Sequence, residues 1–256
     1  MKKLLGGIAI SALLAAPALA ADLPARMPVK AAPAPVVAVY SWAGCYIGGH
    51  GGWARAKTEL INTANTTAFG DLSPGQGFSV SDSGGLAGGH IGCNWQNGQF
   101  VFGLEGTGSW LGIKTSFPNT VFGAADDVFE IKSSWLATAV GRAGIANNNW
   151  LFYARGGFAA SGWKVSVSDV VPGNVGSGSD KATHFGFVVG AGIEYGLTAN
   201  WIIGVEYDYY RFSKESYELG GTAAPATYAF NFKPRDIHAV VGRLSYKWGG
   251  PVVARY

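Results

Sequence analysis

The residues best placed for chemistry are two carboxylates, Glu206 and Asp208, in the segment Val205–Tyr210. In a β-strand, a spacing of two residues puts both side chains on the same face. Such a pair suits general acid–base catalysis or the lining of a narrow conduit. Arginine is frequent on the same face of other alternating segments, so we favour structural ion pairing over catalysis.

Two glycine clusters, at 48–52 and 84–89, superficially resemble phosphate-binding loops. Neither is followed by the Gly-Lys-Ser order, and neither stands between a strand and a helix. Glycine here is better explained by strands that curve and by an interior that must not be overfilled. His50 and His90 lie further along their strands than the cysteines, so no metal site is predicted. We expect no cofactor.

The elements that position these residues are predicted to be strands. From Phe185 to Tyr195 every second residue is apolar or aromatic, and the alternation resumes from Trp201 to Tyr209 after a turn at 196–200. The intervening row is small and carries the charges. Period two over this length predicts a β-hairpin. A bulky, uncharged row with aromatic residues near its ends is typical of a surface that faces lipid.

The same alternation predicts eight strands, at 44–53, 85–95, 100–110, 134–145, 150–160, 185–195, 201–210 and 237–248. Short links are expected at 96–99, 146–149 and 196–200, and long polar links at 54–84, 111–133, 161–183 and 211–236. Short turns at one rim and long loops at the other are typical of outer-membrane barrels. The predicted fold is therefore all-β, an eight-stranded antiparallel up-and-down transmembrane β-barrel.

The N-terminal region predicts export. Residues 1–20 combine a basic start, an apolar run and an Ala-Leu-Ala cleavage site, which together indicate a signal peptide. Residues 21–40 are rich in proline and alanine and are predicted to form an extended periplasmic tether. The barrel is expected to cover 41–248, followed by a C-terminal extension at 249–256. The net charge of +3 is too small to suggest a nucleic-acid partner.

Charged residues of both signs fall on the predicted inner face. They are four acids and four bases: Glu105, Arg142, Arg155, Glu194, Glu206, Asp208, Arg243 and Lys247. An eight-stranded barrel has room inside only for side chains. An unpaired buried charge costs several kcal/mol, so the charges must pair. The expected interior is a plugged, salt-bridged lumen.

Cys45 and Cys93 are the only cysteines of the chain. They fall on the same face of the first two predicted strands, near the periplasmic rim. Because the periplasm is oxidising, we predict a disulfide between these adjacent strands, the alternative being two free thiols.

Basic residues crowd the predicted outer rim, where the outer leaflet carries the phosphates of lipopolysaccharide. The residues expected to contact those phosphates are Lys57, Lys114, Lys164, Arg211, Lys214 and Lys233. The alternative is a solvated loop surface.

Several short motifs carry a resemblance to a known family over about 41–248. They are Trp42-x-Gly44-x-Tyr46-x-Gly48, Gly92-Cys93-Asn94-Trp95-Gln96, Gly103-x-Glu105-Gly106, Arg142-x-Gly144 and Gly192-x-Glu194-Tyr195. In this order they resemble the alphaproteobacterial outer-membrane immunogenic proteins, relatives of the opacity-type and OmpA-like eight-stranded barrels. The resemblance implies a surface barrel of the cell outer membrane that supports the envelope and is seen by host immunity.

The resemblance also implies a terminal aromatic residue that the barrel-assembly machinery recognises. Tyr246 and Trp248 close the last alternating row and are expected to serve as this signal, although residues 249–256 follow; Tyr256 is the alternative.

The expected function is a structural and surface-interaction role without catalysis, with host or environmental ligands at the extracellular loops. The alternative is a small porin-like channel for small hydrophilic solutes, since porin activity is attributed to some members of the family.

Overall fold

The computed structural model describes residues 40–62, 75, 77–118, 127–169, 178–213, 215–220 and 227–248. Nine strands cover most of these residues: β1 (Gly44–Asn62), β2 (Gly77–Asn97), β3 (Phe100–Pro118), β4 (Asp127–Asn147), β5 (Trp150–Asp169), β6 (Gly178–Gly196), β7 (Trp201–Phe212), β8 (Glu215–Gly220) and β9 (Thr227–Trp248). Within this part of the chain, no helix is long and apolar enough to cross a membrane.

The strands close into one antiparallel barrel. Each of β1 to β6 pairs with the next strand, β7 pairs with β9, and β9 pairs back with β1. The short β8 pairs with residues 227–232 of β9, and β7 pairs with residues 236–246 of the same strand. Strands β7 and β8 therefore share one position, and the barrel has eight positions. The predicted fold class is confirmed.

The strands are longer than the sequence predicted. Strands β1 to β6 continue well into the segments predicted as long polar links, and β8 lies entirely inside the predicted link at 211–236. Those link boundaries were wrong because the outward residues there are polar, so the alternation of large apolar residues stops while the ladder of hydrogen bonds continues. The short turns are as predicted; Gly98 and Asn148 adopt positive φ in two of them.

The direction of the side chains matches the predicted rows. Large apolar residues stand outward, with 62% of Leu104, 79% of Phe158 and 59% of Val205 exposed. The carboxylates and guanidinium groups of the inner rows are buried, with at most 5% exposed. A bulky exterior around a charged interior is the arrangement of a barrel whose solvent is lipid.

Candidate functional site in the barrel lumen

Three layers of side chains fill the lumen. At the rim of the short turns, the periplasmic rim of such barrels, a small apolar layer contains Trp42, Val101, Leu151, Tyr153 and Ile202. A larger apolar layer fills the opposite half, and its most completely buried large side chains are Leu111, Leu136, Val188 and Ile237. The charged residues lie between the two layers.

We call the charged middle layer the ion-pair belt; it contains Glu105, Arg142, Arg155, Glu194, Glu206, Asp208 and Arg243. Glu105 is its centre, because its carboxylate accepts hydrogen bonds from three arginines. The nitrogen–oxygen distances are 3.3 Å to Arg142 Nη1, 3.2 Å to Arg155 Nη1 and 3.1 Å to Arg243 Nη1. One buried anion thus holds together cations from three different strands.

The remaining acids complete the ion-pair belt. Glu206 accepts hydrogen bonds from Arg155 and from Arg243, the latter at 2.7 Å. Glu194 accepts one at 2.8 Å from Arg142 Nη2. Asp208 Oδ1 lies 3.6 Å from Arg155 Nε. The two residues first considered for catalysis therefore already have cationic partners.

Lys247 does not belong to the ion-pair belt, contrary to the prediction. Its ammonium donates to the backbone carbonyl of Ser41 and lies 4.4 Å from the centre of the Tyr40 ring. Among the described residues it has no acidic partner. The prediction was wrong because alternation gives the face of a side chain but not its height, and Lys247 lies at the periplasmic rim.

Tyrosine hydroxyls supply further hydrogen-bond donors to the carboxylates of the ion-pair belt. Tyr46 donates to Glu105 at 2.7 Å, Tyr153 to Glu206 at 2.6 Å and Tyr210 to Asp208 at 3.0 Å. Their role was not predicted from the sequence, although all three lie on the inner rows. Neutral donors satisfy carboxylate oxygens without adding charge to the lumen.

Glycines make room for the long side chains of the ion-pair belt. Gly204 stands directly between Glu194 of β6 and Arg243 of β9, and a Cβ there would lie 2.7 Å from Glu194 Cγ. Gly192 lies beneath the ring of Tyr153, whose Cζ would be 2.5 Å from an added Cβ. The row of small residues in the β6–β7 hairpin therefore provides the space that neighbouring side chains occupy.

Two histidines and two serines extend the polar contacts beside the ion-pair belt. His50 Nδ1 and His90 Nδ1 are 3.2 Å apart. The other ring nitrogens contact serine hydroxyls, His50 with Ser109 at 2.8 Å and His90 with Ser245 at 2.7 Å. This chain of contacts crosses the lumen from β3 to β9 and adds to its closure.

The N-terminal end of the barrel closes the periplasmic mouth. Trp42 is fully buried; its backbone N–H donates to Gln96 Oε1 at 2.7 Å, and its indole N–H donates to the carbonyl of Asn148 at 3.3 Å. Both acceptors belong to the short-turn rim. This role of Trp42 could not be predicted from the sequence, where the residue was only part of a motif, because its burial depends on turns that are distant in the sequence.

The two cysteines and the two aromatic residues of the expected assembly signal also lie near the short-turn rim. Cys45 and Cys93 stand directly opposite each other on β1 and β2 and are joined in a disulfide. Tyr246 and Trp248 are exposed on the outer face of β9, and the Tyr246 ring packs edge-on against Trp201 with centroids 5.3 Å apart. Residues 249–256 lie outside the described residues, as do 1–39.

The basic residues expected to contact lipopolysaccharide are only partly described. Lys57, Lys114, Lys164 and Arg211 are exposed. Lys214 and the side chain of Lys233 lie outside the described part. Lys114 forms an ion pair of 2.8 Å with Glu130, which also pairs with Lys132. Hydrogen bonds from Lys114 and Lys132 lower the pKa of Glu130 below its usual range.

Comparison with known proteins agrees with this geometry. The model of the outer membrane protein beta-barrel domain family matches residues 7–242. The chain belongs to this family. A 25 kDa outer-membrane immunogenic protein of Brucella canis is 31% identical over 228 residues, covering 87% of this chain and 91% of the relative. A 22 kDa outer membrane protein of Rhizobium leguminosarum bv. viciae is 30% identical over 186 residues, covering 73% and 72%.

Both relatives are alphaproteobacterial, and the predicted family is confirmed. Among solved structures, the outer membrane protein OprG from Pseudomonas aeruginosa matches with a TM-score of 0.50 at 12% identity, covering 81% of this chain and 97% of that one. At this identity the likeness shows the fold alone. The protein is an outer-membrane β-barrel, and the predicted localisation is confirmed.

Proposed function

We propose that this outer-membrane protein is a closed structural barrel that supports the envelope and presents its extracellular end to the surroundings, without catalysis and without a conducting pore. The observation that carries the proposal is the three-layered lumen. The ion-pair belt fills the middle, and an apolar layer covers it on either side.

The two apolar layers oppose conduction. A hydrated ion that entered the lumen would have to lose its water between buried aliphatic side chains, which is costly without polar partners. It would then meet carboxylates and guanidinium groups that are already paired. A pore would need polar groups facing a continuous water path, and the layers around Leu111 and around Trp42 interrupt any such path.

The same burial argues against catalysis. Glu206 and Asp208 are 2% and 3% exposed, and Glu206 accepts hydrogen bonds from two arginines and from Tyr153. A general acid or base must reach its substrate directly or through one water. In the closed lumen a substrate has no approach to either carboxylate, so pairing within the barrel is their role.

Conductance in planar bilayers tests the closed lumen. We expect the purified, folded barrel to give no steady current steps at concentrations where a sixteen-stranded porin, inserted in the same bilayer as a control, conducts. Steady ohmic steps from the wild-type barrel would instead establish the porin-like alternative.

Complementation of a deletion strain tests the envelope role. We expect the deletion to raise sensitivity to detergents, and the wild-type gene to restore resistance. A variant carrying Glu206→Gln and Asp208→Asn, if its amount in the outer membrane matches wild type, should restore resistance equally. Failure of that variant at equal amount would support a chemical role for the carboxylates.

A further inference from the structure

Four lysines form a continuous row across four neighbouring strands. Lys114 of β3 stands directly opposite Lys132 of β4, Lys132 opposite Lys164 of β5, and Lys164 opposite Lys181 of β6. We call these four residues the lysine row. The residues beside Lys114, Lys132 and Lys164 point into the lumen and are buried there, namely Ile113, Ile131, Trp163 and Val165. Ala182, beside Lys181, is partly buried and packs against the same apolar layer. The lysine row therefore faces outward.

The lysine row carries more positive charge than its described neighbours neutralise. Like charges directly opposite each other in a sheet are destabilising, since their Cα atoms are only about 5 Å apart. Glu130 pairs with Lys114 and Lys132. Among the described residues, no acid pairs with Lys164 or Lys181. Four cations held together against their repulsion, with one anion between them, indicate a site for a further anion.

The height of the lysine row matches the headgroup region of the outer leaflet. Its members lie 14 or 15 residues from the short-turn ends of their strands. At about 3.3 Å per residue and a tilt of about 40°, this is roughly 35 Å above the periplasmic rim. The apolar band of such barrels is about 25 Å tall. The row therefore lies just outside the hydrocarbon, where lipid phosphates are found.

A surface groove joins the lysine row to the aromatic residues below it. The groove has a volume of about 480 Å³, and Lys132, Lys164 and Lys181 line it together with Trp135. Gly162 has no side chain, which lets the indole of Trp135 lie across β5 at the base of the groove. Cations above an exposed aromatic ring fit a ligand whose phosphate lies next to an apolar part.

We propose that the lysine row and this groove bind a phosphate group of outer-leaflet lipopolysaccharide, with Lys164 and Lys181 as the main contacts and Trp135 against the adjoining sugar or acyl chain. The site keeps Lys114 and Lys164 of the six residues expected from the sequence and adds Lys132 and Lys181. It does not depend on whether the lumen conducts. The sequence alone could not give the row, because the alignment of the four lysines requires the register of four strands.

The test compares two forms of one lipid on the full-length folded protein in detergent micelles. The probes are bisphosphorylated lipid A and the same lipid A with its phosphates removed. The variant is Lys164→Gln/Lys181→Gln. The matched control is Arg55→Gln/Lys57→Gln, which removes the same charge from exposed outward positions of β1 at a similar height. Lys57 was also expected from the sequence to contact phosphate, and the proposal places it outside the site. Mobility on unheated gels verifies that each variant is folded.

We expect Lys164→Gln/Lys181→Gln to raise the Kd for bisphosphorylated lipid A at least tenfold, while the control changes it less than twofold. Removing the phosphates should abolish the difference between the proteins. Glu130→Gln should bind more tightly than wild type, because it frees Lys114 and Lys132. Equal weakening by both double variants, or unchanged affinity in Lys164→Gln/Lys181→Gln, would overturn the proposal.

Thermal unfolding gives a readout that general loss of stability cannot reproduce. Without lipid A, Lys164→Gln/Lys181→Gln should unfold at or above the wild-type temperature, because repulsion is relieved. Bisphosphorylated lipid A should raise the unfolding temperature of wild type more than that of the variant, so that wild type becomes the more stable of the two. If inorganic phosphate at millimolar concentration protects wild type as well as lipid A does, the row is a general anion site and the lipid assignment is wrong.

Discussion

Replacing Arg243 by methionine should destabilise the barrel strongly, and removing a second charge should restore much of the loss. Arg243 Nη1 lies 3.1 Å from Glu105 Oε1 and 2.7 Å from Glu206 Oε2, Nη2 donates a second hydrogen bond to Glu105, and Nε lies 3.7 Å from Glu194 Oε1. Methionine keeps the unbranched stem but removes the charge and the donors. The ion-pair belt would then hold four carboxylates against Arg142 and Arg155 alone.

The size of the effect follows from the burial of the ion-pair belt. Removing one partner from a buried ion pair costs about 3–5 kcal/mol, because the other charge stays buried without compensation. Arg243 and Glu105 are 5% and 4% exposed, so solvent screens little of this cost. In Arg243→Met/Glu105→Gln, three acids face two arginines, and the excess of one anion is the same as in wild type. We therefore expect the double variant to be more stable than Arg243→Met alone.

Urea unfolding in lipid vesicles, followed by the gel mobility of unheated samples, measures these differences. With a dependence of about 2 kcal/mol per molar urea, Arg243→Met should lower the midpoint by roughly 2 M. Arg211→Met is the matched control, since it makes the same change at an exposed position and should leave the midpoint unchanged. If the double variant is no more stable than Arg243→Met, the charges of the ion-pair belt are not coupled and the reasoning fails.

Further predictions concern the packing around a lumen glycine, the disulfide and the lipid-facing surface. Gly192→Ala should cost about 1–3 kcal/mol in urea unfolding because its Cβ displaces the ring of Tyr153; an unchanged midpoint would show that the ring moves freely. Cys45→Ser/Cys93→Ser should lower stability by at most about 4 kcal/mol, the loop-closure value for a separation of 48 residues. An alkylated pair of thiols in the non-reduced wild type would contradict that linkage. Val189→Lys, outward and near the middle of β6, should cost about 2–4 kcal/mol in vesicles but little in detergent that covers the barrel loosely.

The inside and the outside of the barrel could be predicted because a strand alternates strictly. For example, the alternation alone predicts that Phe187 faces outward and Glu206 inward, and the structure places both side chains there. The height of a side chain along the barrel axis, and therefore its interaction partners, could not be predicted. Lys247 shares its face with Arg243 but lies at the rim beside Ser41. Its position depends on how far each strand extends below the ion-pair belt.

The apolar layer of the extracellular half was missed for a related reason. Its residues, such as Ile113, Ile131 and Trp163, stand singly and are each followed by a lysine, so the segments resemble loops. In the membrane the outward row is apolar and identifies the strand. Above the membrane the pattern reverses, with polar residues outside and apolar ones inside, as in a soluble barrel. These extensions can be recognised in a sequence only if the apolar row is allowed to change from the outer to the inner face along one strand.

The position of the ion-pair belt suggests that it specifies strand register. Glu105, Arg142, Arg155, Glu206 and Arg243 each lie five residues from the short-turn end of their strand. Buried ion pairs contribute little stability that apolar residues could not replace, and rows rich in glycine specify register weakly. A slip of two residues keeps every side chain on its own face but moves a charge about 7 Å along the strand, away from its partners. A variant whose ion-pair belt is replaced by uncharged side chains of similar size should therefore be as stable as wild type but should fold with more misregistered product. Protease-resistant bands on unheated gels would reveal that product. If the variant folds without it, the ion-pair belt does not specify strand register.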